Sequence, residues 1–371
     1  GLPGVSSRPV LPFADGYYWK FQAADRIRSS PAVFGETVVF GSDDGNLYGL
    51  VVTSGPPALW SVETDGAVVG APMVAEVTAP GAAPGATDTE MRVFFGSLDG
   101  RFRSRDVFAQ IATPQVFPAL GTPPLDAIEA APLIMDDRAV FGTEAGEVWA
   151  LDAATFEPLW EVPFAAGSKV TVAPVGLDGF VYVGTEAGVL WKIDAESGIG
   201  EECYPGGGLP ITSEPVIADG VIYIPVRDGL TIEARRAGSC GPAPSISLSA
   251  PVESSPAIAG GVLYTGNGRY LEAWDLNTSQ RLWAFPGAGE LGGLDGVVRW
   301  PVVVNGGVYF TSDDGWVYAV DKDGRELWRY NLGARSVTSP APGTAIVFAA
   351  DVSGTLHAIG CENPPDCEPS G

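Results

Sequence analysis

The chain has 371 residues, of which 46% are hydrophobic, 10% aromatic and only 18% charged, enough apolar material for a buried core and too little charge for a disordered chain. Its 45 acidic and 21 basic residues leave a net charge of −24, which repels a nucleic-acid backbone or an anionic membrane surface. No apolar run approaches the roughly 18 residues of a membrane span, and Gly1-Leu2-Pro3-Gly4 has none of the features of a signal peptide. A soluble chain is therefore expected, mature or trimmed, with a lipid anchor ahead of the first residue compatible with the sequence. The acidity serves solubility or attracts a cationic ligand or partner.

After a tail at residues 1–14, the first ordered element expected is an aromatic strand at 17–21, Tyr17-Tyr18-Trp19-Lys20-Phe21. From there a proline ahead of an apolar run returns at Pro31, Pro72, Pro132, Pro174, Pro215, Pro256, Pro301 and Pro340, with gaps of 41, 60, 42, 41, 41, 45 and 39 residues. Such a period marks a repeat architecture, and with 49 glycines and 32 prolines clustered between short apolar runs it marks an all-β one. Eight anchors predict an eight-bladed β-propeller of four-stranded antiparallel blades, one domain spanning 1–371. The single long gap holds Ala79-Pro80-Gly81-Ala82-Ala83-Pro84-Gly85, read as a surface loop inserted between two strands of one blade.

Each unit repeats one grammar. The first runs Val38-Val39-Phe40-Gly41, Ser42-Asp43-Asp44-Gly45, Leu47-Tyr48-Gly49-Leu50 and Leu59-Trp60; the third and seventh match it through Trp160 and Trp328. The eighth stops after Leu356-His357-Ala358-Ile359, without its tryptophan strand. Residues 17–21 carry the missing pattern, so the N-terminal strand is expected to complete the last blade and close the ring, ahead of a C-terminal tail at 361–371.

Four cysteines match no zinc spacing, and one histidine is too few to help. Cys361 and Cys367 are close enough to tie down the tail as a disulfide, which leaves Cys203 with Cys240 by elimination, although three connectivities are formally open. Disulfides place a protein outside the cytoplasm, whether periplasmic, outer-membrane-anchored or secreted.

Ala150-Leu151-Asp152 with Trp160, Ala273-Trp274-Asp275 with Trp283, and Ala319-Val320-Asp321 with Trp328 resemble the tryptophan-docking repeat of the quinoprotein alcohol dehydrogenase-like propellers, the PQQ-type repeat family. In size the chain is most similar to the BamB-like outer-membrane assembly lipoproteins within it. The resemblance implies that Trp19, Trp60, Trp160, Trp283 and Trp328 pack between neighbouring blades. Blades four and five depart from it: Cys203 and Cys240 fall near their tryptophan positions, where a covalent link would stand in for the aromatic contact.

The Ser-Asp-Asp-Gly turns at 42–45 and 312–315 offer two carboxylates each, short of the six or more oxygens that calcium requires, and read as hairpin turns. His357 replaces Tyr48, Trp149, Trp191 and Tyr318 at its strand position, and reads as packing. No catalytic residue, metal ligand or cofactor site emerges. A ligand site, if present, belongs at the channel mouth, where Arg28, Glu129, Glu214, Glu253, Arg299 and Trp300 precede the anchor prolines, with Lys169 and Arg335 further out. The sequence therefore predicts a non-catalytic, monomeric scaffold that binds other envelope or extracellular proteins, takes no cofactor and avoids nucleic acid. A quinone-dependent dehydrogenase and a ligand-sensing domain of a larger membrane protein are the alternatives; the family's vicinal cysteine pair is missing here, and its calcium ligands and aspartate base have no identifiable counterpart.

Overall fold

The computed structural model describes residues 18–79, 89–109, 112–287, 293–343 and 346–360. These form eight four-stranded antiparallel sheets and no helix. Blades 1 to 7 span residues 32–63, 73–117, 133–165, 175–204, 216–247, 257–285 and 298–331; blade 8 combines 341–360 with 19–22. The first strands of successive blades lie against one another all the way round, and the last meets the first where 341–342 approaches 32–34. They form the wall of the central channel.

The anchor prolines mark this wall. Seven of them stand immediately before an inner strand; Pro301 instead lies inside one, Val298–Val304. That strand bulges between Arg299 and Val302, with Trp300 at φ 35°. A proline has no N–H to give a ladder, so within a strand it falls at such a break. The residue-72 insertion begins at the tip of an extended hairpin, Met73–Thr78 paired with Thr89–Gly96. Residues 80–88 and 361–371, with the expected Cys361–Cys367 bridge, lie outside the described residues, as does residue 17.

The ring closes as the repeat arithmetic predicts. The strand Trp19–Gln22 pairs antiparallel with Thr355–Gly360, in register from Trp19↔Ala358 to Gln22↔Thr355. Trp19 is buried between blade 8 and blade 1, and its indole donates 2.8 Å to the carbonyl of Val52. The same contact recurs around the ring. Trp60 donates to Val107 at 2.9 Å, Trp160 to Ala195 at 3.1 Å and Trp283 to Lys322 at 2.8 Å, each carbonyl lying at the corner after the third strand of the next blade. Trp328 is buried in the cluster joining blades 7 and 8.

What receives the indole is specified too. A Cβ added to Gly55, Gly198 or Gly324 would stand 2.5, 2.7 and 2.7 Å from the ring of Trp19, Trp160 and Trp283 respectively, so only glycine fits there. All three also adopt positive φ. Corners facing a blade without a docking tryptophan are filled differently. Phe156, at φ 63°, occupies the corner of blade 3, stacks 5.5 Å from Phe102 and faces Gln115, whose amide donates 2.8 Å to Ala154 in place of an indole. Between blades 5 and 6 the seam is the apolar cluster around Ile246, Leu248 and Leu263, against which Ala243 and Trp274 pack.

Between blades 4 and 5 the substitute is covalent: Cys203 on the outer strand bonds Cys240, at φ 56° in the corner. Cys240 is thus in the corner that receives a neighbour's tryptophan, one step from the blade-five tryptophan position where sequence placed it. The corner carbonyls remain satisfied, that of Ala237 by Tyr182 at 2.7 Å and that of Gly238 by Lys192 at 2.9 Å.

Two outcomes follow. Trp19→Ala should lower stability by about 3–5 kcal/mol, because it removes a buried indole and loosens the seam between the closing blade and blade 1; urea unfolding would show it as a lower midpoint. Cys240→Ser should cost about 2–4 kcal/mol by the same measurement, given a closed loop of sequence separation 37.

Candidate functional site

The channel mouth is built by two kinds of segment, the loops that lead into each inner strand and the tight turns between second and third strands. One backbone bond stitches them together in blade after blade. The N–H of the second turn residue donates to the incoming loop: Asp43 to Arg26, Glu144 to Ala127, Glu186 to Lys169, Arg227 to Pro210, Asp313 to Val297 and Val352 to Arg335, all at 2.8–3.0 Å. Whatever side chain occupies that turn position is therefore delivered to the mouth. Asp43, Glu144, Glu186 and Asp313 arrive this way, and sequence reading of the mouth overlooked them, although they recur at one position of the repeat.

Their presence decides the electrostatics. Arg28 places its Nε 2.9 Å from both oxygens of Asp43. Arg299 forms a fork with Asp313, at 3.2 and 2.9 Å, and also reaches Glu253 at 3.5 Å. Arg335 binds the same Asp313 at 3.0 Å, so one carboxylate holds two guanidinium groups. Trp300, on the bulge, lies with its ring 5.7 Å from the Arg299 guanidinium. Arg299, Glu253, Trp300 and Arg335 thus form one cluster on the blade 6 to 8 side.

A second cluster gathers around Lys169, whose ammonium sits 2.9 Å from Glu144. Loss of water and the neighbouring Glu144 push the Glu129 carboxyl up, against the opposing pull of Lys169 and Arg28. Glu214 belongs to neither cluster. Its side chain is exposed, and the loss of surrounding water to neighbouring protein pushes its carboxyl up. Its backbone N–H is held by Ser255 at 2.8 Å.

The remaining titratable candidates are structural. In the Ser-Asp-Asp-Gly turns the second acid accepts from a tyrosine, Tyr48 to Asp44 at 2.8 Å and Tyr318 to Asp314 at 3.0 Å, and burial with that carboxylate raises both phenols above their ordinary range. His357 is buried in the closing blade with Nε2 2.9 Å from Asp351. Burial would push the Asp351 carboxyl up, but hydrogen bonds from His357, Ser353 and Thr355 outweigh it and hold the group below its usual range. The pair braces a strand.

A carboxyl raised by the fold costs stability once it ionises. Glu214→Gln should therefore leave the unfolding midpoint unchanged near pH 4, below the unfolded-state value, and raise it progressively toward pH 7; paired thermal melts across that range check it.

Comparison with known proteins places this ring in context. No curated protein sequence matches the chain. Among solved structures, the computationally designed Ika8 protein superposes with a TM-score of 0.74 at 17% identity, over 93% of this chain and 100% of its own. BamB from Moraxella catarrhalis gives 0.69 at 14% identity, over 93% and 99%. The quinohemoprotein alcohol dehydrogenase ADHIIG from Pseudomonas putida HK5 gives 0.70 at 14%, over 93% of this chain but 76% of the enzyme. At these identities the structural matches establish the fold. A family model described as outer membrane protein assembly factor BamB matches residues 98–200 and 270–363, more than half of the sequence, and the chain belongs to that family.

Proposed function

We propose that this propeller is a non-catalytic, extracytoplasmic scaffold that holds other proteins, with a role in cell-envelope assembly. The observation that carries this reading is the state of the channel mouth. Pyrroloquinoline quinone, the cofactor of the dehydrogenases on this fold, is a tricarboxylate and needs cations to hold it. Here Arg28, Arg299, Arg335 and Lys169 are each already paired with an acid delivered by a turn, which leaves Arg227, delivered by the blade 5 turn, as the cation among those named that has no ion pair in the described structure. Glu129 and Glu214 add further negative charge, so an anionic cofactor meets repulsion. Calcium, its usual companion, needs six or more converging oxygens. Among the described residues no three His, Cys, Asp or Glu side chains are grouped to hold a metal. The residues present do not fit either group.

Two further observations favour the scaffold. The superposition takes in 99% of the BamB chain and only 76% of the dehydrogenase chain. The Cys203–Cys240 bridge suits an oxidising compartment. No helix among the described residues is long and apolar enough to cross a membrane.

The test has two arms. Incubation with pyrroloquinoline quinone and calcium should produce no bound chromophore and no dye-linked alcohol oxidation; either signal would move the protein to the dehydrogenases. In the native host, photo-crosslinking from surface positions should give discrete adducts with envelope proteins. Their absence from every position would remove the scaffold reading.

A further inference from the structure

The charge of this chain is not spread evenly. Residues 139–226 hold 13 Asp and Glu against two lysines, Lys169 and Lys192, so that −11 of the net −24 falls in less than a quarter of the sequence. This stretch is most of blade 3, all of blade 4 and the first half of blade 5. Lys169 is bound at the mouth to Glu144, and Lys192 is buried with its ammonium on Glu201 and the Gly238 carbonyl. Neither is available to neutralise the outer rim, where the nearby cation is Arg138, just ahead of the stretch, which acts on Asp194.

On that rim the seam between blades 3 and 4 has an unusual shape. The third and outer strands of blade 3 pair at Val148↔Phe164, and again at the bridge Leu151↔Pro158. Between these points the outer segment has five residues, 159–163, against two, Trp149 and Ala150. The surplus must loop outward. Trp160 turns inward to dock on Gly198 and Ala195, which pins the loop, while Leu159 and Val162 stay at the surface, 41% and 70% exposed. Across the seam Ile199, next to Gly198, is 74% exposed. Three of the nine large hydrophobic side chains that the described surface exposes thus collect about a single docked tryptophan.

Carboxylates flank them along the chain. Glu157, Glu161, Glu196 and Glu202 are exposed, and no described cation pairs with them. A patch with apolar centre and anionic border repels membranes and nucleic acid, and suits a partner that brings apolar side chains flanked by lysine or arginine.

We propose that this rim docks a basic polypeptide segment, with Leu159, Val162 and Ile199 as its apolar anchors and Glu157, Glu161, Glu196 and Glu202 as its electrostatic frame. The proposal rests on the scaffold reading and assigns its partner's chemistry. It places the contact on the rim, away from the channel mouth.

The probe is a short fluorescein-labelled peptide of alternating lysine and valine carrying one photo-reactive residue, compared with its lysine–serine counterpart of equal charge. The intact protein should bind the valine peptide at least about tenfold more tightly than the serine peptide, since burying apolar side chains contributes beyond the shared charge. Crosslinks should map to 157–162 and 196–202. The exposed-site double variant V162S/I199S should lose about the same factor, while Leu282→Ser on the blade 6 rim leaves affinity unchanged. Circular dichroism and melting temperature confirm that each variant is folded. Equal affinity for the two peptides, wild-type affinity in V162S/I199S, or crosslinks at the channel mouth or scattered around the ring would each overturn the rim site. None of these touches the scaffold reading, which stands or falls on the envelope adducts.

Discussion

A ring of blades has no central core, since the middle is a channel, and its stability resides in the seams between neighbours. In this protein one contact recurs at three seams: an indole on the outer edge of one blade donates to a corner carbonyl of the next and lies against a glycine. Trp19 on Gly55 and Val52, Trp160 on Gly198 and Ala195, and Trp283 on Gly324 and Lys322 are three copies of it. Trp60 makes the same hydrogen bond, to Val107, but meets the Arg105 guanidinium 4.1 Å from its ring where the others meet a glycine. Where the tryptophan is lost, the glycine is lost as well, to Phe156 or to Cys240, and the volume is restored by stacked phenylalanines or by a disulfide. Close packing leaves no other solution, because a void at one seam would weaken a closed ring as a whole.

The same repeat that builds the seams organises the charge. In every blade but the sixth the turn is stitched to the loop beside it, so its second residue is presented at the mouth, where Asp43, Glu144 and Asp313 pair with cations that the loops supply. Asp313 alone holds Arg299 and Arg335. The mouth is thereby net acidic, with Arg227 outside those pairs. Unpaired negative charge is left instead on the outside of blades 3 and 4, where the looped segment 159–163 raises apolar side chains among glutamates. Electrostatics thus separates a closed mouth from an open rim on one molecule.

Blade number, strand number and ring closure were legible in the sequence, because periodic prolines, turn glycines and outer tryptophans are local and repeated; residues 17–21 could be joined to the last blade, as the aromatic pattern absent there was present at the front. The docking glycines were equally written in the chain, at Gly55, Gly198 and Gly324, yet their meaning emerges only beside the ring that covers them. Likewise the anchor prolines mark where Arg28, Glu129, Glu214, Glu253, Arg299 and Trp300 stand along the chain, but that Asp43, Glu144 and Asp313 pair with cations there depends on turns brought beside the loops.

The sequence by itself determined the architecture and the total charge, since period and composition are sums over local residues. Only the tertiary structure decided which charges cancel and which remain, because Arg299 and Asp313, or Trp160 and Gly198, become neighbours through the wrap of one blade onto the next. It also decided that Leu159, Val162 and Ile199 stay exposed beside one docked tryptophan: five residues facing two in a hairpin must bulge, and the register that forces this exists only once the strands have paired.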